Sequence, residues 1–369
     1  MGRALAAVAA ALVAVSSASA GPPPVVAKAY FVENGATGEV LAREHADTRV
    51  PIASITKLMT VLVALERADV DEVVVAGPVA SAIGESTINL RVGERISVGD
   101  LVEAALVQSA NDAAWALAAY VGKGDVGAFV RLMNAKARVL GLRETHFVRP
   151  DGLDVPGHVS SARDVTLLAR AAMRNATIRS IVDDRTATIA GGRRLHTWND
   201  LLGSFPGVIG VKTGHTDAAG WSQVAAVRGT GFVLYATLLG SPTRAQRNTD
   251  LAALLRWGLS LYVPVAVVDE TRTYARAEVG FDLDPVALVA PRSIVRSARV
   301  DRTLRERIVA ATAVELPVRR GQRLGEVRVY DGARLVASSP LVAARAVAQP
   351  GFADRASWYA KRTFANFRP

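Results

Sequence analysis

Residues 52–66 read Ile-Ala-Ser-Ile-Thr-Lys-Leu-Met-Thr-Val-Leu-Val-Ala-Leu-Glu, a helical stretch that is apolar around almost its whole circumference. A surface helix shows one apolar stripe, whereas one that is apolar all round must be enclosed by other elements. This segment therefore belongs in the middle of a domain, and the rest of that domain is built around it. Its first turn carries Ser54 and Lys57, three residues apart and so on one face. A serine hydroxyl is a poor nucleophile until a base takes its proton. Ile55, Leu58 and Met59 offer apolar surroundings that lower the pKa of a lysine toward the neutral form a base needs. The pair is capable of acyl transfer, but an N-cap serine beside a snorkelling lysine has the same spacing. Taken alone, the spacing favours that structural role.

The surrounding chain predicts an α+β domain over roughly 25–262. Residues 29–40 read as a β-hairpin around Asn34, Gly35 and Gly38. Helical segments are expected at 101–107, 112–121, 129–140 and 165–173, the last opened by Ser161 and Asp164 at capping-box spacing. From Gly207 the pattern turns to strands at 208–211, 221–227 and 232–239, closed by a helix over 251–261. After Pro264, short alternating runs at 286–290, 293–300, 307–318 and 326–330 predict a small all-β sandwich domain over 265–347. It contains no catalytic constellation.

Two more short motifs follow Ser54-x-x-Lys57 in the first domain. Ser109-Ala110-Asn111 lies in a polar break at 108–111 between helical segments, where Ser and Asn also serve as ordinary caps. Its hydroxyl could relay a proton to a leaving amine, and its carboxamide could bind a substrate amide. Lys212-Thr213-Gly214 ends the strand at 208–211. Gly214 removes side-chain bulk, so an extended peptide could pair with the strand edge while Lys212 and Thr213 receive a carboxylate. Each motif alone is weak. In this order, S-x-x-K, an S-x-N triplet and K-T-G are the signature of class A β-lactamases and penicillin-binding proteins.

The chain resembles the low-molecular-mass, type-5 penicillin-binding proteins, the D-alanyl-D-alanine carboxypeptidases of the S11 peptidase family. The resemblance covers residues 29–262 and includes TGEVLAREHADTRVPIASITKLMT, GESTINLRVGERISVGDLVEAALVQSANDAA, HFVRPDGLDVPGHVSSARD and GVKTGHTDAAGWSQVAA. It implies a penicillin-recognising, transpeptidase-like fold followed by a small β-domain. It further implies Ser54 as the acylated nucleophile, Lys57 as its base, Ser109 and Asn111 as the second element, and Lys212, Thr213 and Gly214 as the third. Backbone N–H groups of Ser54 and His215 would form the oxyanion hole, and Arg247 would help bind the terminal carboxylate. The implied substrate is a peptidoglycan stem peptide, with β-lactam antibiotics as inhibitors. Ala110 stands where many members have Gly, and residues 175–199 match poorly, which leaves one rim of the cleft undefined. The alternatives are a D,D-endopeptidase, a class A-like β-lactamase and a non-catalytic wall-binding scaffold. The lactamase would need a deacylating Glu, where this chain has Asp151-Gly152-Leu153-Asp154.

Location is read from the two ends. Arg3, the apolar run 4–15 and Ala18-Ser19-Ala20 have the pattern of a secretory signal peptide over 1–20, cleaved after Ala20. This places the protein in the periplasm or on the outer face of the cytoplasmic membrane. The chain has no cysteine, which excludes thiol catalysis, and its five histidines (His45, His146, His158, His196 and His215) are scattered, so no metal or other cofactor is expected. The net charge of +10 suggests anionic partners, and without a recognition module a membrane surface or anionic polymer fits better than nucleic acid. At 350–369, Phe352, Ala353, Ala356, Tyr359, Ala360, Phe364 and Phe367 share one arc of a helical wheel. Arg355, Lys361, Arg362 and Arg368 lie on the other, with Trp358 among them. A basic amphipathic helix of this kind can lie in a membrane interface.

Overall fold

The computed structural model describes residues 6–13 and 21–365, as two compact units that divide at residue 261. The larger, residues 21–260, holds a five-stranded antiparallel sheet. Its strands are β1 (Ala29–Asn34), β2 (Glu39–Glu44), β3 (Val208–Thr216), β4 (Gly220–Gly229) and β5 (Phe232–Ser241), in the order β2-β1-β5-β4-β3. Successive side chains on a strand point to opposite faces, and both faces of this sheet are covered. Tyr30, Val32, Leu234, Ala236 and Leu238 pack with Leu251, Leu254 and Leu255 of the helix Arg244–Ser260. Phe31, Val224, Ala226, Tyr235 and Leu239 face the other way, into a larger helical core. Every residue of β1 is buried, as a strand between two layers requires.

The helix α1 (Lys57–Leu65) lies in that core, with residues 57–64 all buried. It packs against α3 (Asn111–Val121), α4 (Val126–Val139) and α5 (Ala162–Ala172), while α2 (Val98–Glu103) leads the chain toward α3. Complete enclosure obliges its polar groups to find partners. Thr60 donates to the Pro150 carbonyl at 2.6 Å, and Thr56, just before the helix, meets His158 Nε2 at 2.8 Å. Ser161 caps α5 by accepting from the Asp164 N–H at 3.1 Å, but the box is not reciprocal. The Asp164 carboxylate instead receives the Glu144 N–H and the Thr145 hydroxyl.

The final helix of this unit, α6 (Arg244–Ser260), begins seven residues before the expected start at 251. Its first two turns are polar and show no apolar periodicity. Tertiary contacts hold them instead: Asp250 accepts the Val26 N–H at 2.8 Å, and Arg247 turns inward.

The smaller unit packs one core between two antiparallel sheets. One pairs β6 (Tyr262–Val268) with β9 (Ile294–Arg299). The other contains β7 (Thr273–Ala277), β8 (Val286–Val289), β10 (Leu304–Ala311), β11 (Arg323–Asp331) and β12 (Arg334–Ala343), with residues 6–13 as a further antiparallel strand on the β10 edge. The strand expected over 307–318 ends at Ala311, because the chain then leaves the ladder and bonds to Glu278 on both sides. The strand β12 was not anticipated, since Pro340 within it argues against a central strand. The cleavage point expected after Ala20 lies outside the described residues.

The terminal helix α7 runs over Phe352–Ala365. Trp358, assigned to the polar side of the wheel, packs at 5.1 Å and a 57° tilt against Phe281 of the same unit, with the Arg362 guanidinium 4.7 Å above it. Phe352 and Tyr359 remain 82% and 59% exposed. The side chain of Phe364, with Phe367 and Arg368, lies outside the described residues. None of the described helices is long and apolar enough to cross a membrane.

Gly152 braces the turn before α1: its φ is +88°, and a Cβ there would come within 2.0 Å of the Ala53 carbonyl oxygen. Gly152→Ala is expected to cost about 2 kcal/mol or more through backbone strain and the forced shift, a fall of roughly 4–8 °C in Tm. Thermal unfolding followed by circular dichroism checks this, and an unchanged Tm would show that the turn yields freely.

Candidate active site

The chain enters α1 through a single 3₁₀ turn, Ala53–Thr56. This leaves Ser54 partly exposed while Lys57 is wholly buried. Gly214 on β3 lies against the turn, and a Cβ on it would stand 2.7 Å from the Ile52 carbonyl oxygen and 3.1 Å from Ser54 N. Glycine is what allows this edge strand to approach the Ser54 amide.

Lys57 Nζ lies 2.7 Å from Ser54 Oγ, 2.6 Å from Asn111 Oδ1 and 2.9 Å from the Asp151 carbonyl oxygen. A neutral amine has two N–H bonds and one lone pair. The two carbonyl oxygens take the N–H bonds, which leaves the lone pair for the Ser54 hydroxyl. Burial pulls the Lys57 pKa down to about 7; the Asp151 and Glu85 carboxylates oppose the fall and Arg149 assists it. The base form is thus well populated near neutrality.

Two buried groups fix this geometry from behind. Burial alone would raise the pKa of Asp151, but hydrogen bonds from Arg149 (2.5 and 2.7 Å), the Lys57 charge and a 2.7 Å bond from Trp115 outweigh it and hold the pKa low. His158 Nδ1 accepts the Val148 N–H at 3.1 Å, so its proton sits on Nε2 and is donated to Thr56 Oγ1. Burial pulls the His158 pKa down to about 4, so this brace stays neutral.

The second wall comes from a helix that changes pitch. After α2 the chain forms a π turn over Ala104–Gln108, a distortion frequently found at functional sites. Ser109 follows with φ +65°, and Asn111 opens α3. Asn111 is held on both sides of its carboxamide: Nδ2 donates to the Gly84 carbonyl at 3.1 Å while Oδ1 meets Lys57. Its backbone N–H donates to the Ser86 carbonyl at 2.7 Å. Ala53, Glu85 and Ser109 all have positive φ around this one opening, and such backbone strain concentrates at functional sites.

The third wall is β3, at the edge of the sheet. Lys212 Nζ donates to Ser109 Oγ at 2.8 Å and to the Thr213 carbonyl at 3.1 Å. Burial, with the Lys57 and Arg247 charges added, holds its pKa well below the usual lysine range. A carboxylate brought against it would raise that pKa again. Beyond it lies Arg247, 1% exposed, bonded to Asp200 at 3.1 Å and Asn248 at 2.7 Å, with its guanidinium 5.8 Å from the Trp221 ring. Burial lowers its pKa to about 10, so it remains charged at neutral pH. Asp200 also grips Arg244 through two hydrogen bonds, at 2.5 and 2.8 Å.

These walls enclose a cleft of about 240 Å³. Of the residues singled out in the sequence, Ser54, Ser109, Asn111, Thr213, Gly214, His215 and Arg247 line it, and Lys57 and Lys212 reach it through Ser54 and Ser109. The lining also includes Glu85, Ser86, Leu153, Trp198, Trp221 and Arg244. Neither Asp200 nor Trp198 was anticipated. Trp198 belongs to the poorly matching stretch 175–199 and Asp200 directly follows it, and only the fold brings them to the cleft. Arg244 and Arg247, three residues apart on one helix, are both at the cleft and share Asp200.

Residues 16–243 match the family model described as D-alanyl-D-alanine carboxypeptidase, Peptidase_S11. The chain is 32% identical over 354 residues to the D-alanyl-D-alanine carboxypeptidase DacC of Escherichia coli, covering 90% of this chain and 87% of that one. Among solved structures, penicillin binding protein 5 from Haemophilus influenzae superposes with a TM-score of 0.66 at 27% identity, over 90% of this chain and 100% of the other. The Streptomyces K15 DD-transpeptidase gives a TM-score of 0.62 at 32% identity, over 66% and 100% respectively.

If Lys57 takes the proton of an acylated Ser54, its amine must be unprotonated, and acylation is expected to slow as pH falls through about 7. Well below that midpoint the rate should drop about tenfold per pH unit, following the neutral fraction. The second-order rate of labelling by a fluorescent penicillin, measured from pH 5 to 9, checks this; a flat profile would exclude Lys57 as the base.

Proposed function

The chain belongs to the D-alanyl-D-alanine carboxypeptidase family, and from that premise we propose that Ser54 is its nucleophile and Lys57 its general base. The protein is a serine D,D-carboxypeptidase that removes the terminal D-alanine from peptidoglycan stem peptides. Penicillins, as amide mimics of the same substrate end, inhibit it. The observation that carries the residue assignment is the 2.7 Å approach of the buried Lys57 amine to Ser54 Oγ.

In the proposed reaction the stem peptide lies extended along β3, with its terminal carboxylate received by Lys212, Thr213 and Arg247. Charge-assisted bonds of this type favour a free carboxylate over a continuing chain. Ser54 Oγ attacks the penultimate carbonyl carbon, and its proton passes to Lys57 Nζ. The N–H groups of Ser54 and His215 receive the oxyanion, and one such donor is typically worth roughly 10²–10³ in rate. The tetrahedral intermediate collapses, the C–N bond breaks, and the leaving nitrogen takes the proton held by Lys57, relayed through Ser109, which leaves the Lys57 amine neutral again. Water, deprotonated by Lys57, then attacks the ester and regenerates Ser54. Asn111 does double duty, orienting Lys57 through Oδ1 and offering its amide edge to the acyl side of the peptide.

Ser54→Ala is expected to abolish both D-alanine release from a pentapeptide and covalent labelling by a fluorescent penicillin, with no loss of thermal stability. Mass spectrometry that finds the penicillin adduct on another residue would overturn the assignment.

Residues 1–20 are read as an export leader removed after Ala20, and α7 as an interfacial anchor. The exposed Phe352 and Tyr359, together with Lys361 and Arg362, support the second reading. The exported form is expected to begin at Gly21 by N-terminal sequencing and to pellet with membranes, while a chain ending at Gln349 stays in the supernatant. A truncated chain that still pellets would remove the anchor from α7.

A further inference from the structure

We propose that Glu85 selects stem peptides whose third residue carries a side-chain ammonium, a proposal that rests on the carboxypeptidase reading above. Glu85 is the only acidic residue among those lining the cleft, and it is exposed there. The other carboxylates around the site are already committed to protein donors. Asp112 receives the N–H groups of Ile88 and Leu90, and Asp151 is held by Arg149 and Trp115. Asp154 receives Thr216 and the Ala218 N–H, while Asp200 receives Arg244, Arg247 and Asn248. Glu85 makes no hydrogen bond or ion pair with any described residue.

Its backbone deepens the case. Glu85 is held at φ +66°, a conformation in which glycine or asparagine is the cheaper residue, yet the position carries a charge and presents it to the cleft. The loop is pinned there, since Asn111 holds Gly84 and Ser86 on either side and Ser86 Oγ donates to the Gln108 carbonyl at 2.9 Å. The cleft lining therefore carries both signs, Arg244 and Arg247 and one carboxylate that is in no hydrogen bond or ion pair, though its charge acts on Lys57. A ligand matching both signs has a carboxylate at its C-terminus and a cation on the acyl side of the scissile bond. In a stem peptide with its terminal carboxylate at Lys212 and Arg247 and its penultimate carbonyl at Ser54, the residue entering beside Asn111 is the third. A diamino-acid side chain there brings an ammonium toward Glu85.

The test uses the full chain and two tripeptides, Nα-acetyl-L-Lys-D-Ala-D-Ala and its Nα,Nε-diacetyl form. The measurements are kcat/KM for D-alanine release and protection of Ser54 against labelling by a fluorescent penicillin. The free-amine peptide is expected to be preferred by about threefold to fivefold at low salt, the range of an exposed ion pair. The preference should shrink as salt screens it. In Glu85→Gln the ratio between the two peptides should fall to about one, and Glu85→Asp should retain part of it. Equal use of both peptides by the unsubstituted protein would overturn the proposal. So would a Glu85→Gln variant that leaves the ratio between the two peptides unchanged; a rate change common to both is expected in any case, because the Glu85 charge also acts on the Lys57 pKa. If neither peptide releases D-alanine, the carboxypeptidase reading fails, while the ratio of the two protection constants still decides the role of Glu85.

Discussion

A lysine amine buried without exposure, on a helix apolar all round, can keep its charge only at high cost. The rest of the site follows from how Lys57 avoids that cost. Two fixed carbonyl oxygens, from Asn111 and Asp151, suit the two N–H bonds of the neutral form. Two carboxylates, Asp151 and Glu85, keep the pKa from falling further, so that the amine can still hold the proton it takes. Each partner comes from a different element: the start of α3, the loop after α4 and the loop before α2. The enclosed helix therefore forces three distant segments to meet at one point. Ser54 needs only to lie one turn away, on the single side of the amine left open.

The edge position of β3 answers a second constraint. A peptide substrate needs a free row of backbone groups, and a sheet offers one only at its margin. The same margin must reach the nucleophile, and Gly214 permits this by lacking the atom that would collide with Ile52 and Ser54. In the proposed reaction, specificity for a chain end comes from Arg247, whose burial against Trp221 and Asn248 leaves its position little freedom. Asp200 ties Arg244 to the same point. The nucleophile is thus general acyl-transfer equipment, and the choice of a terminal carboxylate is made in other parts of the cleft.

Local residue pattern made much of this legible. The enclosed helix, the three motifs and the strand run 208–241 are encoded in short windows, through apolar periodicity and fixed spacing. What stayed hidden depends on distance along the chain. Nothing near Asp200 marks it as the carboxylate that holds two arginines 44 and 47 residues later. Asp151 stood out only as the wrong residue for a lactamase, while its backbone carbonyl proves to be a partner of the base. The start of α6 was missed because its first turns carry charge, and tertiary bonds from Asp250 and Arg247 supply what periodicity does not. Pro340 concealed β12 for the opposite reason, a local signal overridden by neighbouring strands on both sides.

Placing Lys57 and Lys212 in one buried site also solves a problem that one lysine could not. A substrate carboxylate brought alone beside Lys57 would raise its pKa and convert the base into an ammonium at the moment it is needed. The Lys212 pKa, lowered by burial and by the Lys57 and Arg247 charges, is raised again when the anion arrives, and Arg247 is charged already. The carboxylate then enters as part of a balanced pair, whose field at Lys57 is that of a dipole and falls off faster than that of a lone charge. Ser109, accepting from Lys212 at 2.8 Å, ties that pair to the wall that also carries Asn111. Binding and catalysis can therefore share a space of about 240 Å³ without the charge that anchors the substrate disabling the group that attacks it.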